Sequence, residues 1–69
     1  MIKEQVGKRI KQLRLSRGLS QEEFAFRCDL DRTYITSLER GKRNISIVNL
    51  DKIAKCFNIT LSDFFKFDE

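Results

Sequence analysis

A polar stretch between residues 32 and 44 is the part of the chain best suited to chemistry with a partner. It combines hydroxyl and guanidinium groups at helical spacing with a short basic loop: Arg32, Thr33, Thr36, Ser37, Arg40, Lys42, Arg43 and Asn44. Hydroxyl groups donate and accept hydrogen bonds, and the Arg fork fits guanine O6 and N7. Because a merely solvated helix face would be richer in Glu, the pattern favours a partner that offers base edges and phosphates.

The distribution of charge supports the same class of partner. The net charge of +4 is the sum of +5 in residues 1–18, −3 in residues 19–31, +3 in residues 32–43 and −1 in residues 44–69. A polyanion is the simplest partner for two basic segments of this kind. For the first segment, an ordinary solvated helix face explains the charge equally well.

Length and composition argue against an enzyme. The chain has 69 residues and no His, which removes the commonest general base and the commonest metal ligand. One domain over residues 1–69 is too small for a roomy active site. Glu22 and Glu23 are adjacent on a helix and do not face each other. We therefore expect no catalytic residues, no metal, no cofactor and no small-molecule ligand.

The two cysteines are typical of a small intracellular core. Cys28 and Cys56 each fall on an apolar helical stripe, where a free Cys behaves as a small buried hydrophobe. The sequence contains no apolar run of membrane-spanning length and no secretion signal. These features predict a cytoplasmic protein with reduced thiols and no membrane partner.

Apolar periodicity and capping residues predict five helices and no strands. The predicted bounds are about 3–16, 21–28, 32–40, 47–57 and 61–65. The apolar stripes are Val6, Ile10 and Leu13 on the first helix, and Ile47, Leu50, Ile53, Ala54 and Phe57 on the fourth. Ser20 with Glu23 predicts a capping box, and Asp31, Ser46 and Thr60 predict further N-caps.

The second and third helices meet across a three-residue turn, residues 29–31. Asp29 tolerates the left-handed backbone that such a turn needs, and Leu30 anchors the turn in the core. Ala25 is small enough for the two helices to approach closely, while Ile35 and Leu38 close the angle between them. The spacing indicates a helix-turn-helix over about residues 21–40, whose second helix enters the DNA major groove.

Four segments, RIKQLRLSRGLSQEEFA, YITSLERGKRN, LDKIAKCFNI and LSDFF, resemble the lambda-repressor-like (Cro/C1-type, xenobiotic response element) family. Within it, the run LDRTYITSLERGKRN most resembles restriction–modification controller proteins. The resemblance implies a compact five-helix all-α domain that binds a palindromic operator in double-stranded DNA as a homodimeric transcriptional regulator. It also admits RNA polymerase as a further partner. The alternatives are a phage-type or chromosomal repressor, or an antitoxin-like protein-interaction module.

The resemblance also implies roles for particular residues. Gln21 corresponds to a phosphate contact at the start of the second helix, and Tyr34 to a position near the DNA backbone. Major-groove or further base and phosphate contacts correspond to Arg32, Thr33, Thr36 and Ser37. The phosphate-binding loop corresponds to Arg40, Lys42, Arg43 and Asn44, with Arg43 also near bases.

Two further sets follow from the family pattern. Arg14 and Glu39 correspond to a buried ion pair between the first and third helices, and the weaker alternative for Arg14 is an ordinary surface charge. The dimer contact corresponds to the helices of about residues 47–67, with the residues Leu61, Phe64, Phe65 and Phe67. The alternative for one or two of these phenylalanines is a place in the core. Phe26 departs from the usual polar residue, and the sequence leaves open whether it packs against the first helix or is exposed.

Overall fold

Five helices make up residues 1–67, the part of the chain that the computed structural model describes. They are α1 (Ile2–Ser16), α2 (Gln21–Cys28), α3 (Arg32–Glu39), α4 (Ile47–Cys56) and α5 (Leu61–Phe64). No strand occurs in the described residues. The predicted five-helix, all-α architecture is confirmed, and Asp68 and Glu69 of the predicted domain lie outside the described residues.

Side-chain caps fix where the later helices begin. The Glu23 N–H donates to Ser20 Oγ at 3.0 Å, and the Ser20 N–H donates to Glu23 Oε1 at 2.9 Å. The bond from the Ser20 N–H, and after it the interaction of the Ser20 hydroxyl with the carboxylate, hold the pKa of Glu23 below its ordinary value. The other predicted caps are also present, with side chains accepting from backbone N–H groups at Asp31, Ser46 and Thr60. Each cap satisfies one otherwise unpaired donor of a helix N-terminus.

The turn between α2 and α3 has the predicted backbone. Asp29 follows α2 with a φ of 57°, and its N–H together with that of Leu30 donates to carbonyls of α2. Ala25 is buried, and the shortness of its side chain allows α3 to pack across α2. The predicted helix-turn-helix geometry is therefore present at residues 21–39.

One apolar core joins all five helices, with the Phe24 and Phe57 rings stacked at a centroid distance of 4.7 Å. Its members are Val6, Ile10, Leu13, Phe24, Ala25, Cys28, Ile35, Leu38, Leu50, Ile53, Phe57 and Phe64. Ile47 was predicted on this core stripe, and that prediction is wrong because its side chain is 76% exposed. Helical periodicity places Ile47 on the correct side of α4, but burial on that side begins only at Leu50.

Two phenylalanines have environments that the sequence did not fix. Phe64 is fully buried, so its predicted place in a dimer contact is wrong, and its ring belongs to the core of the monomer. The reason is the seating of α5, because Arg9 of α1 donates from Nε to the Phe64 carbonyl and from Nη2 to the Asp63 carbonyl, each at 2.8 Å. Phe26 on α2 is 86% exposed and does not pack against α1.

Several cationic side chains of residues 1–18 make hydrogen bonds within the protein. Arg9 binds the last carbonyls of α5, and Arg17 donates from Nη2 to the Phe57 carbonyl at the end of α4, at 2.6 Å. Arg14 is buried. A guanidinium suits a helix C-terminus, where carbonyls are unpaired and the dipole is negative. The three arginines of this segment therefore have structural contacts.

The two cysteines and the lengths of the helices relate to the expectations of reduced thiols and of no membrane partner. Cys28 is buried and Cys56 half-buried, and both thiols are free. Burial, and then the neighbouring Cys56, raise the pKa of the Cys28 thiol, so it is an unreactive part of the core. Among the described residues, no helix has the length and apolar character needed to cross a membrane.

Candidate nucleic-acid interface

A buried ion pair ties α1 to the end of α3. Arg14 Nε lies 2.7 Å from Glu39 Oε2, and Arg14 Nη2 lies 3.0 Å from Glu39 Oε1, so the contact is bidentate. Arg14 Nη1 also donates to the Leu19 carbonyl at 2.8 Å. The two charged side chains are only 9% and 3% exposed. The hydrogen bond to Glu39 raises the pKa of Arg14 and outweighs the opposing effect of burial.

Gln21 extends this ion pair to α2. Its Nε2 donates to Glu39 Oε1 at 3.0 Å, and its Oε1 accepts from the Thr36 hydroxyl at 3.1 Å. We call Arg14, Glu39, Gln21 and Thr36 the inner network. Both ends of the Gln21 amide are thus hydrogen-bonded within the protein. The group of Gln21 that remains suited to a phosphate is its backbone N–H in the first turn of α2.

A second set of polar groups on α3 faces solvent. Arg32, Thr33 and Arg40 are exposed, and Ser37 is half-exposed. We call these four residues the outer flank; their spacing places them along one side of the helix. Within residues 1–67, Arg32 and Arg40 have no carboxylate partner. Of the contact residues predicted for α3 and its C-terminus, Arg32, Thr33, Ser37 and Arg40 therefore reach the surface. Thr36 belongs to the inner network, and Tyr34 is half-buried.

The loop after α3 continues the basic surface. Gly41 has a φ of 70°, and this backbone conformation turns the chain sharply after α3. Gly41 also packs against Glu4 of α1. Lys42, Arg43 and Asn44 follow with exposed side chains. Lys42 has no carboxylate partner among the described residues. The loop thus places further cations next to the outer flank.

Tyr34 connects this loop to α4. The Arg43 guanidinium carbon lies 4.9 Å from the centre of the Tyr34 ring, and Asn49 Nδ2 donates to the Tyr34 hydroxyl at 3.1 Å. Sequence reasoning missed Asn49. An isolated Asn in the first turn of a helix reads as solvated, and nothing in the sequence pattern links position 49 to position 34.

Exposed apolar side chains form a second candidate surface on α4 and α5. Leu61 and Phe65, both predicted for a dimer contact, are exposed, and Phe67 is half-buried. Phe65 packs edge-on against the Phe67 ring at 5.9 Å. Sequence reasoning missed Val48, which is exposed beside Ile47. The signal was available, because Val48 falls outside the i, i+3, i+4 spacing of the apolar stripe predicted on this helix.

Comparison with known proteins defines the class. The helix-turn-helix family model (HTH_3) matches residues 10–64 of this chain. The protein therefore belongs to the helix-turn-helix family. Control protein C.MunI of a Mycoplasma species is 54% identical over 65 residues, covering 93% of this chain and 88% of that protein. Control protein C.BamHI of Bacillus amyloliquefaciens is 47% identical over 62 residues, covering 88% and 76% respectively.

Solved structures give the same result. The restriction–modification controller protein C.AhdI of Aeromonas hydrophila superposes with a TM-score of 0.86 at 43% identity, covering 91% of this chain and 96% of that one. The controller protein C.Esp1396I, solved as a tetramer with its natural 35-base-pair operator, superposes with a TM-score of 0.87 at 38% identity. That match covers 96% of this chain and 87% of the other. The predicted resemblance to restriction–modification controllers is confirmed.

Proposed function

We propose that this protein is a sequence-specific DNA-binding transcriptional regulator that acts as a homodimer and serves as the controller of a restriction–modification system. The observation that carries the proposal is the outer flank of α3, where Arg32 and Arg40 stand exposed without carboxylate partners in the described chain. The similarity to control proteins and to a controller solved on its operator supports it. The function requires no catalysis and places the protein in the cytoplasm with its DNA.

In this function, the N-terminal end of α3 reads the major groove. Arg32 offers its fork to guanine, and Thr33 and Ser37 reach base edges or phosphates. The phosphate backbone of the DNA is bound by the Gln21 N–H at the start of α2 and by the basic loop region, Arg40, Lys42, Arg43 and Asn44. Thr36 contributes a further base or phosphate contact, and the inner network holds its hydroxyl in place.

The dimer forms through the exposed apolar surface of α4 and α5. We assign Leu61, Phe65 and Phe67 to it, and add Ile47 and Val48 because their side chains are exposed. Apolar groups gathered on the surface of a small protein are typical of a partner contact. A two-fold pair would present its α3 helices to half-sites about 34 Å apart.

Selection of binding sites from random DNA tests the regulatory function. We expect enrichment of an inverted repeat, bound on the order of 10³-fold more tightly than a scrambled duplex at the same salt concentration. Equal affinity for both duplexes would contradict sequence-specific regulation. Failure to bind any DNA would instead favour the antitoxin-like alternative. A chromosomal or phage repressor would select DNA equally well and is distinguished by its neighbouring genes.

Sedimentation equilibrium of surface variants tests the dimer. Phe65→Ser and Val48→Ser should shift the protein toward the monomer and weaken operator binding. Phe26→Ser is the matched control, because it removes an exposed aromatic ring from α2, outside the assigned contact. A dimer that survives both α4 and α5 variants but dissociates with Phe26→Ser would place the contact on α2.

A further inference from the structure

Tyr34 is held between two polar side chains that come from different elements. Its hydroxyl accepts a hydrogen bond of 3.1 Å from Asn49 Nδ2 on α4, and its ring lies under the Arg43 guanidinium at 4.9 Å. The Asn49 backbone is itself fixed, because its N–H donates to the Ser46 cap at 3.1 Å. A continuous chain of contacts therefore runs from the N-terminus of α4 through α3 to the basic loop.

This chain of contacts restricts an otherwise mobile cation. Arg43 is exposed and has no carboxylate partner among residues 1–67. A long exposed Arg loses rotamer freedom when it binds DNA, and prior ordering lowers that cost. The Tyr34 ring orders the guanidinium by a cation–π contact, and the bond from Asn49 fixes the direction of that ring.

We propose that Asn49 is a positioning residue for Arg43, acting through Tyr34 and not by touching DNA itself. The proposal rests on the DNA-binding function, since it assigns Arg43 to the bound duplex. Asn49 is half-buried, and its amide is directed at Tyr34. Its effect on DNA affinity should therefore depend on Arg43.

A double-mutant cycle on the selected operator tests this dependence. Asn49→Ala should weaken operator binding by roughly 2- to 5-fold, the scale of an exposed cation–π contact. The same substitution in an Arg43→Ala background should change affinity by much less. Tyr34→Phe should reproduce the loss, because it keeps the ring and removes the hydroxyl. Gln5→Ala, which removes an exposed carboxamide from α1, is the control and should bind as the wild type does.

A second measurement needs no DNA, so it separates this proposal from the regulatory function. In the free protein, the Tyr34 ring should shift the NMR signals of the Arg43 side chain, and Asn49→Ala should reduce that shift while the circular dichroism stays unchanged. An equal loss of operator affinity with and without Arg43 would overturn the proposal, because Asn49 would then act independently. An unchanged Arg43 signal in Asn49→Ala would overturn it as well.

Discussion

Two sets of polar groups on α3, the inner network and the outer flank, are used in opposite ways. In the inner network, the guanidinium of Arg14 and the carboxylate of Glu39 are buried and mutually bound, and Gln21 and Thr36 complete the set. Among the described residues, no buried side-chain polar atom lacks a partner. On the outer flank, the guanidinium of Arg32 is exposed and has no carboxylate within residues 1–67.

The difference separates stability from recognition. Burying a charge is costly unless it is paired and hydrogen-bonded, so the inner network contributes to the fold only as a complete set. An exposed cation contributes little to folding, but it keeps its charge available for a phosphate or a base. Substitutions in the inner network should therefore change the free energy of unfolding, and substitutions on the outer flank should change DNA affinity.

The largest effect is expected for Arg14→Met. This change leaves the Glu39 carboxylate buried without its cation, and it should lower the free energy of unfolding by about 3–5 kcal/mol. Urea denaturation measures the loss. Lys55→Met is the control, because it breaks the exposed pair of Lys55 Nζ with Asp51 Oδ2 at 2.9 Å, which should cost about 0.3–0.5 kcal/mol. Similar losses for the two variants would remove the contrast between buried and exposed pairs.

Arg32→Ala should have the next largest effect, and on binding alone. Loss of a bidentate guanine contact should cost about 1–3 kcal/mol on the selected operator and relax base preference at one position. The urea midpoint should stay that of the wild type, because Arg32 is exposed. Titration of operator and scrambled duplexes measures the difference. An equal loss on both duplexes would make Arg32 a phosphate contact.

Lys42→Ala should have a smaller effect that does not depend on sequence. Each phosphate neutralised by a cation contributes about 0.9 to the slope of log K against log salt concentration. The variant should therefore reduce that slope by about one contact and weaken operator and scrambled DNA alike. Affinities measured over a series of salt concentrations test this. A loss confined to the operator would place Lys42 among the base-reading residues.

The smallest effect is expected at the capping box of α2, and it should depend on pH. The hydrogen bonds from Ser20 lower the pKa of Glu23, so the stabilisation that they give to the folded state is complete above the pKa of Glu23 in the unfolded chain. That stabilisation is lost as the pH falls through the folded-state pKa. Glu23→Gln should therefore lower the melting temperature at neutral pH, and the difference should shrink in acid.

Glu22→Gln is the control for this pH effect. It removes the same charge from the same helical turn and leaves the hydrogen bonds between Ser20 and Glu23 intact. A pH dependence as large as that of Glu23→Gln would mean that the helix dipole, and not the capping box, is responsible. Thermal melts of both variants over a range of pH make the comparison.

Local signals in the sequence predicted the helices well. Ser20 and Asp31 stand directly before apolar periodic segments, and each side chain accepts from its own first turn, so no distant contact is needed. Asp29 likewise has a local conformational preference that the turn uses. The starts of the four later helices depend on such short-range interactions, which explains why they were predictable.

Contacts between elements were harder to predict. Helical periodicity gave the inward side of α4 but not how far the core extends, so Ile47 was misplaced. Phe64, Phe65 and Phe67 are more aromatic residues than a core of this size requires. Only the packing of α5 against the other helices shows that Phe64 is the buried one. The bond between Asn49 and Tyr34 joins residues 15 positions apart and leaves no periodic trace.

The binding of Arg9 to the end of α5 has a consequence for the timing of assembly. A four-residue helix cannot persist alone, and the two carbonyls that hold this one in place bond to an arginine whose position differs from that of Phe64 by 55. During synthesis α1 leaves the ribosome long before α5 does. Until the chain has been synthesised beyond Phe64, the Arg9 guanidinium therefore has no carbonyl of α5 to bind, and the place of the Phe64 ring in the core stays unfilled.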